Sequence, residues 1–324
     1  MTLASASNRK IRTLFRLAAG ARLGFGHLVR GRALARALDI TQPHVSLRGS
    51  DVAQDTAERF GFRLVDEPAR DAIEGTRAEV LIIDDPSRVA ALRWRRAAAA
   101  LRVPVVSIHD LGKAFCDADL AIDGSIVAPS SKPRGLVAGP DHAILDPSVV
   151  AAREQMRDPN SILIALGGGP RLTIAIEIAR ALRSSRPELR VRIAAGFAGT
   201  DHQIRSGILC LGPRDGLAQE LARCAVAITG GGVSLYEAAA LDTPVVAWPV
   251  VKAQHTTVTA FHRRGMAIAV LPGPNRITRA VDAVHLQLTD ISRRRTSATI
   301  DGLGARRVAD AIHALVRNGS KEAA

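Results

Sequence analysis

His27 stands in a short glycine-containing turn that can place a basic side chain against a substrate. The segment LGFGHLVRG, residues 23–31, carries Gly24 and Gly26 just before the histidine. Glycines permit a tight turn with the backbone close to a ligand. At the start of the following helix the positive end of the dipole disfavours imidazolium, which keeps the ring neutral for general-base catalysis. The alternative is a histidine that only caps or packs at the turn.

The same turn departs from the dinucleotide-binding fingerprint. That fingerprint reads G-x-G-x-x-G, and Val29 stands where the third glycine belongs. Binding of NAD(P) therefore comes last among the functions considered, although Arg48, at the end of the second predicted strand, could meet a 2′-phosphate.

A second glycine-rich segment, ITGGGVSLYE, lies between a predicted strand and a predicted helix. Successive amide N–H groups of Gly230, Gly231 and Gly232 can bind phosphate oxygens. Ser234 adds a hydroxyl group, and the carboxylate of Glu237, one turn further, suits the hydroxyl pair of a ribose. A plain turn is the alternative, but three consecutive glycines exceed what a turn requires.

A third glycine-rich segment, LGGGP at 166–170, also joins a predicted strand to a helix and includes Gly168. It lacks the Lys-Ser/Thr pair of a P-loop, which argues against hydrolysis of nucleoside triphosphates. Contact with a diphosphate and a simple chain turn both remain open for this segment.

Acids and a histidine close two predicted strands of the first half. Asp84 and Asp85 follow one strand, and His109 and Asp110 end another. They can line a ligand site, because α/β sheets bind ligands beyond the carboxyl ends of their strands, or they can cap the following helices. No H-x-x-x-H or similar spacing accompanies them, so we predict no metal site and no cofactor.

Composition restricts the class of protein. The chain has 324 residues, of which 47% are hydrophobic and 23% charged, as expected for two globular domains without a membrane span. Its net charge of +13 favours a phosphate-bearing ligand and a weak attraction to anionic membrane surfaces. Only 3% of residues are aromatic and no zinc finger is present, which argues against nucleic acid. The chain has three cysteines, no C-x-x-C pair and no secretion signal, which predicts a cytoplasmic protein. We infer no obligate protein partner.

Strands alternate with helical segments in both halves of the chain, which predicts parallel βαβ units. In the first half we predict strands at 12–18, 44–49, 62–67, 79–85, 103–110 and 118–123, and in the second half within 161–170, 189–196, 207–213, 226–232, 244–250 and 267–273. Proline, serine and glycine are frequent from 125 to 160, which indicates a connection between domains. We therefore expect Rossmann-like domains at 1–150 and 151–324 with a ligand cleft between them, and a final helix that packs back on the first.

Two motifs together carry a resemblance to a known family. LFRLAAGARLGFGHLVRGRALARAL resembles the N-terminal F-R-x-D-x-S-x-x-I-G-x-G-H-x-x-R motif of the UDP-diacetamido-trideoxy-altropyranose hydrolases of pseudaminic acid biosynthesis. ITGGGVSLYEAAALDTPVVAWPVVKAQ is similar to their donor-binding segment, which the lipid-intermediate N-acetylglucosaminyltransferases share more loosely. The resemblance runs from about Leu14 to His262, and ILIALGGGP, CDADLAID and GPDHAILDP follow the family's order.

The resemblance implies an α/β protein of the GT-B fold that holds a UDP-sugar without a cofactor. His27 would be the general base that activates water for inverting attack at the anomeric carbon, with UDP as the leaving group. The implied substrate-binding residues are Gly24, Gly26, Arg30, Asp85, His109 and Gln254. The implied nucleotide-binding residues are Gly168, Gly230, Gly231, Gly232, Ser234 and Glu237.

Several family residues are replaced here. The motif aspartate is Ala18, the usual Asp-His reads Asp84-Asp85, the first aspartate of I-D-D is His109, and D-N-Q reads Lys252-Ala253-Gln254. These changes concern the sugar and the water rather than the nucleotide. Hydrolysis of a UDP-amino sugar, in a pathway that modifies flagellin or surface glycans, is the leading hypothesis. A GT-B glycosyltransferase, with Arg263 and Arg264 near a lipid-linked acceptor, and a nucleotide-sugar-binding relative without activity are the alternatives.

Overall fold

The computed structural model describes residues 10–20, 23–111, 116–129, 135–167, 171–197, 201–289 and 300–322. These residues form two compact units. The first consists of the described residues within 1–123, 129–138 and 305–324, and the second of those within 124–128 and 139–304. Residue 150, where a single domain boundary was predicted, lies inside the second unit.

The first unit is built on a seven-stranded parallel sheet. Its strands are β1 Thr13–Ala18, β2 His44–Arg48, β3 Arg63–Leu64, β4 Val80–Asp84, β5 Val105–His109, β6 Leu120–Asp123 and β7 Leu136–Ala138. They stand in the order β3-β2-β1-β4-β5-β6-β7, with helices α1 Gly26–Ala37, α2 Asp51–Arg59, α3 Ala69–Gly75 and α4 Arg88–Ala100 between them. Every residue of β1 and β4 is buried, as expected for central strands covered on both faces.

Strand alternation divides the residues of this sheet between two faces. Leu14 of β1 packs with Trp94 of α4 in one apolar cluster, which places the even-numbered residues of β1 on the α4 face. In register, Ala18 lies opposite Arg48 of β2, and Leu17 lies opposite Asp84 of β4. Asp84 therefore points to the other face, toward α1, and Asp85, which follows it, turns back toward α4.

Helix α1 approaches β1 closely because a glycine stands at the contact. A Cβ atom on Gly31 would lie 2.5 Å from Cδ1 of Leu17. A larger residue there would displace the buried Leu17 side chain. This close approach fixes the first turn of α1, and with it His27, over the carboxyl end of the sheet.

The second unit repeats the plan with one reversed strand. After short helices at Pro140–His142, Ser148–Ala151 (α5) and Ala152–Glu154 come β8 Asp158–Ala165, α6 Arg171–Ser185, β9 Arg190–Ala194, β10 His202–Arg205, β11 Ile208–Leu211, α7 Ala218–Arg223, β12 Cys224–Thr229, α8 Val233–Ala240, β13 Val245–Ala247, a 3-10 helix Lys252–Gln254, α9 His255–Arg263, β14 Ile268–Ala269 and α10 Arg276–Thr289. The sheet order is β10-β11-β9-β8-β12-β13-β14, and β10 pairs antiparallel with β11. Apolar clusters cover both faces of this sheet, one of which includes Leu163 and Phe261 and the other Ile164 and Val284.

The last helix, α11 Gly304–Glu322, follows the second unit in the chain, but from Ala305 onward it belongs to the first. Its buried residues include Val308, Ile312 and His313. None of the helices in the described ranges combines the length and apolar character that crossing a bilayer requires.

The structure contains two strands that the sequence did not predict. Strand β7 lies in the segment interpreted as a connection, and it pairs parallel with β6. Strand β10, with the sequence HQIR, is too polar to be recognised as a strand. The other strands and the principal helices agree with the prediction.

Candidate functional site

His27 and Asp84 form a hydrogen-bonded pair at the carboxyl end of the first sheet. The Nδ1 atom of His27 lies 2.7 Å from Oδ1 of Asp84. Asp84 is the last residue of β4 and is buried, whereas 17% of the His27 side chain remains exposed. The acid that partners the histidine is thus Asp84, and not its neighbour Asp85.

The geometry fixes which nitrogen of His27 carries the proton. Nη2 of Arg30 lies 2.9 Å from Nδ1 and 2.7 Å from Oδ1 of Asp84. If Nδ1 accepted a hydrogen from Arg30, its lone pair would face the carboxylate oxygen at 2.7 Å. Nδ1–H therefore donates to Asp84, and in the neutral ring Nε2 carries the lone pair. A base with that lone pair on its outer nitrogen can accept a proton from a hydroxyl group.

Arg30 holds the carboxylate of this pair in place. Its Nε and Nη2 donate to the two oxygens of Asp84, at 2.9 and 2.7 Å, and Nη1 donates to Asp110 at 2.5 Å. Burial alone would raise the pKa of Asp84, but the charges of Arg30 and His27 and their hydrogen bonds lower it to about 2. Desolvation opposes the charge on Arg30, yet Asp110 and Asp84 raise its pKa. We call His27, Arg30, Asp84 and Asp110 the histidine cluster.

Asp85 belongs to a separate group on the α4 face. Its carboxylate binds Nη2 of Arg16 at 3.2 Å and Nη2 of Arg48 at 2.5 Å, and also accepts the backbone N–H of Ser87 at 2.9 Å. Arg16 in turn donates to the hydroxyl of Ser46 at 3.0 Å and lies over the Trp94 ring. We call Arg16, Arg48 and Asp85 the arginine cluster. The structure does not bring Asp85 together with His27.

His109 also lies on the α4 face, because β5 pairs Ser107 with Ile83 of β4. Its Nε2 is 2.6 Å from the Ser107 hydroxyl, and both residues are buried. Asp110, the next residue, points to the opposite face and reaches Arg30. The two residues that end β5 are thus divided between the two faces, as Asp84 and Asp85 are.

The glycines of the first turn have different roles. Gly24 has φ +80°, a conformation that favours glycine, and exchanges two backbone hydrogen bonds with Gly20, of 3.0 and 2.7 Å. Gly26 is the first residue of α1 and directly precedes His27. Together they turn the chain from β1 into the helix that carries His27.

In the second unit, Gly230, Gly231 and Gly232 connect β12 to α8, and we call them the glycine loop. Gly232 caps α8 without a side chain and is exposed. The first backbone N–H groups of a helix have no partner within it and carry the positive end of the dipole. Gly230 and Gly231 are buried, so the amide donors open to an anion are those at exposed Gly232 and in the first turn of α8.

Gln254 holds the glycine loop in place. Its Oε1 accepts the N–H of Gly231 at 3.1 Å and that of Val250 at 2.9 Å. A Cβ atom on Gly231 would lie 2.7 Å from Cβ of Gln254 and 3.0 Å from its carbonyl oxygen, so only glycine fits. The sequence predicted that Gln254 contacts the sugar. It did not predict the contact with Gly231, because that contact forms only when two loops distant in sequence lie side by side.

The remaining predicted nucleotide residues lie on or near α8. Ser234 in its first turn is half-buried, and Glu237, one turn further, is buried. Gly168 lies outside the described residues. Within the described ranges there is no group of three or more His, Cys, Asp or Glu residues that could hold a metal ion.

Comparisons with known proteins identify the fold. No family model matches the sequence, and no curated protein is detectably similar to it. Three solved structures illustrate the likeness: the spinosyn forosaminyltransferase SpnP, the spinosyn rhamnosyltransferase SpnG complexed with thymidine diphosphate, and MnaA of S. aureus with UDP. Their TM-scores are 0.67, 0.60 and 0.59, and their identities are 14%, 19% and 12%. The alignments cover 95%, 95% and 93% of this chain and 99%, 99% and 96% of those chains.

This likeness confirms the predicted GT-B fold of two Rossmann-like domains. It does not distinguish the altropyranose hydrolases from other GT-B proteins. The resemblance to that family rests on the two sequence motifs alone.

Proposed function

We propose that this protein is a glycosyltransferase that moves a sugar from a nucleoside-diphosphate donor to a hydroxyl group of an acceptor. The observation that carries the proposal is the His27–Asp84 pair, with Nδ1 bonded to a buried carboxylate and the lone pair on Nε2. The GT-B fold, and the presence of glycosyltransferases and nucleotide complexes among similar structures, support the nucleotide-sugar class. UDP is the first nucleotide to test and thymidine diphosphate the second.

The chemistry assigns one task to each loop. Nε2 of His27 accepts the proton of the attacking hydroxyl group, and the Asp84 carboxylate stabilises the imidazolium that forms. The hydroxyl oxygen bonds to the anomeric carbon as its bond to the diphosphate oxygen breaks, which inverts the configuration. The glycine loop and the start of α8 stabilise the negative charge of the departing diphosphate.

Hydrolysis is the second candidate, in which water replaces the acceptor. The segment Gly24-Phe25-Gly26-His27 with Arg30 three residues later supports it, because this is the part that matches the hydrolase motif most closely. The two reactions use the same base and leaving group and differ only in the nucleophile.

The product distinguishes the two reactions. The protein is incubated with UDP- and TDP-linked sugars, with and without sugar and lipid alcohols as acceptors, and the products are followed by NMR. We expect a glycosylated product only when an acceptor is present. Free sugar at the same rate without acceptor would establish hydrolysis, and UDP binding without turnover of any donor would overturn both reactions.

A substitution tests the base. We expect His27→Ala to lower kcat by about 10²- to 10⁴-fold, the usual contribution of a general base, with unchanged affinity for UDP. His44→Ala is the matched control, since His44 begins β2 at the opposite end of the same sheet. Full turnover by His27→Ala would reject this assignment.

A further inference from the structure

The arginine cluster carries more positive charge than its acid can neutralise. Asp85 is fully buried and is shared by two guanidinium groups, Arg16 and Arg48. Among the described residues no second acid forms an ion pair with either arginine. Since arginine stays protonated, the cluster has a net charge of +1. One arginine would have sufficed to neutralise Asp85.

Of the two arginines in the cluster, Arg48 is the one exposed to solvent. Arg16 is buried and donates to Ser46 and Asp85, whereas 41% of the Arg48 side chain is exposed. Nε and Nη2 of Arg48 face Asp85, and no hydrogen bond of Nη1 is found in the described part of the chain. Desolvation, the charge of Arg48 and that of Arg93 lower the pKa of Arg16, in spite of Asp85. The surroundings of Arg48 thus favour an additional negative charge.

The position of Arg48 connects it to the histidine cluster. The two clusters are anchored on consecutive residues, Asp84 and Asp85, whose α-carbons are about 3.8 Å apart. Strand β1 lies between β2 and β4. Its residue Ala18, which is buried, is in register with Arg48 of β2, and its residue Leu17 is in register with Asp84 of β4. The two clusters therefore stand at the same carboxyl edge of the sheet, one on each face.

We propose that Arg48, held by Asp85 against Arg16, binds an anionic group of the acceptor, either a carboxylate or a phosphate ester. This inference rests on the proposed function only in that it assigns the anionic group to the acceptor. Asp85 fixes the guanidinium in one orientation, which lowers the entropic cost of binding. Neutral acceptors of the same shape would lack this contact.

Binding is tested directly and without turnover. The full chain, labelled with ¹⁵N-arginine, is titrated with inorganic phosphate and separately with acetate, each against sodium chloride at equal ionic strength. The Nε–H signals of Arg48 and Arg63 are assigned by their loss in Arg48→Gln and Arg63→Gln. Arg63 is an exposed arginine of β3 and serves as the matched control. We expect a saturable shift of the Arg48 signal and none of the Arg63 signal.

The outcomes are separable. No saturable shift at Arg48 with either anion, or the same shift at both arginines, would overturn the anion site. A stronger response to phosphate than to acetate identifies a phosphate ester, and the reverse identifies a carboxylate. With matched charged and neutral acceptors, we expect Arg48→Gln to raise KM about ten-fold or more for the charged one only, with similar kcat. A shift at Arg48 in a protein that turns over no nucleotide sugar would reject the proposed function and leave the anion site standing.

Discussion

Strand β4 of the first unit and strand β12 of the second occupy equivalent places, each beside its unit's first strand and away from the second. Their ends differ completely. Strand β4 ends in two carboxylates, Asp84 and Asp85, that organise three arginines and a histidine. Strand β12 is followed by three glycines that lead into the N-terminus of α8. One topological position thus carries a cluster of charged side chains in one unit and a loop without side chains in the other.

The difference also concerns how each loop is held. In the histidine cluster, ion pairs between charged side chains hold His27 and Arg30 in place. Removal of either acid should therefore change the orientation and charge of these side chains. In the glycine loop a neutral amide, Gln254, holds the backbone, and the absence of side chains allows the close approach. Substitutions at the first loop should therefore act mainly on turnover and pH dependence, and at the second mainly on nucleotide affinity.

The largest effect is expected from Asp84→Asn. Without the carboxylate the imidazolium loses its stabilising charge and Nδ1–H its fixed acceptor, so kcat should fall by about 10²- to 10⁴-fold. Turnover is measured at saturating donor, and folding is checked by circular dichroism. Glu79→Gln, which removes an acid just before β4 at the other end of that strand, should retain activity. Equal losses in both variants would contradict the assigned role of Asp84.

The next effect tests the glycine loop. The Cβ of Gly231→Ala would meet the Gln254 backbone, so the loop must shift at a cost of about 1–3 kcal/mol in folding free energy. We expect the shifted loop to bind UDP about five-fold or more weakly, which corresponds to about 1 kcal/mol or more. In the matched variant Gly232→Ala the nearest atom is the Gln254 amide nitrogen at 3.8 Å, so affinity should change by less than about three-fold. Affinities are measured by isothermal titration calorimetry. Similar affinities in the two variants would show that the loop does not bind the diphosphate.

A third test uses pH and stability. The pKa of Asp84, at about 2 in the folded protein and 3.8 ordinarily, corresponds to about 2 kcal/mol of stability at neutral pH. Because the folded pKa is the lower one, this contribution is present above about pH 4 and is lost as pH falls toward 2. Urea unfolding of wild type and Asp84→Asn at pH 7, 4 and 3 should show the difference shrinking to about half at pH 3. A difference independent of pH would contradict the ionised pair.

The smallest effect concerns the support of the glycine loop. Gln254→Ala removes the acceptor of two backbone N–H groups, and we expect a loss of about 1 kcal/mol in the free energy of unfolding. Gln254→Glu keeps an oxygen at that place and should retain stability, although its charge would repel a diphosphate. Thermal unfolding without ligand compares the two. Equal destabilisation would show that the oxygen is not the relevant group.

The sequence predicted most strands because their apolar runs are local signals. It missed β7 and β10, whose formation depends on pairing with β6 and β11 rather than on their own composition. It singled out His27 and the glycine loop because a histidine and glycines at strand-to-helix junctions can be recognised in the sequence itself, and the structure places both at such junctions. It selected Asp85 over Asp84, because which of two adjacent acids faces α1 depends on the register of β4. The contact of Gln254 with Gly231 joins residues 23 positions apart and required the packed structure.

Helix α11 has a consequence for the order in which the protein can be completed during synthesis. The first unit includes residues from 305 onward, whereas the second ends at 304. During synthesis, the buried residues of α11, such as Val308 and Ile312, therefore join the unit that carries His27 only after the second unit has emerged. The half that is translated first is the half that is finished last.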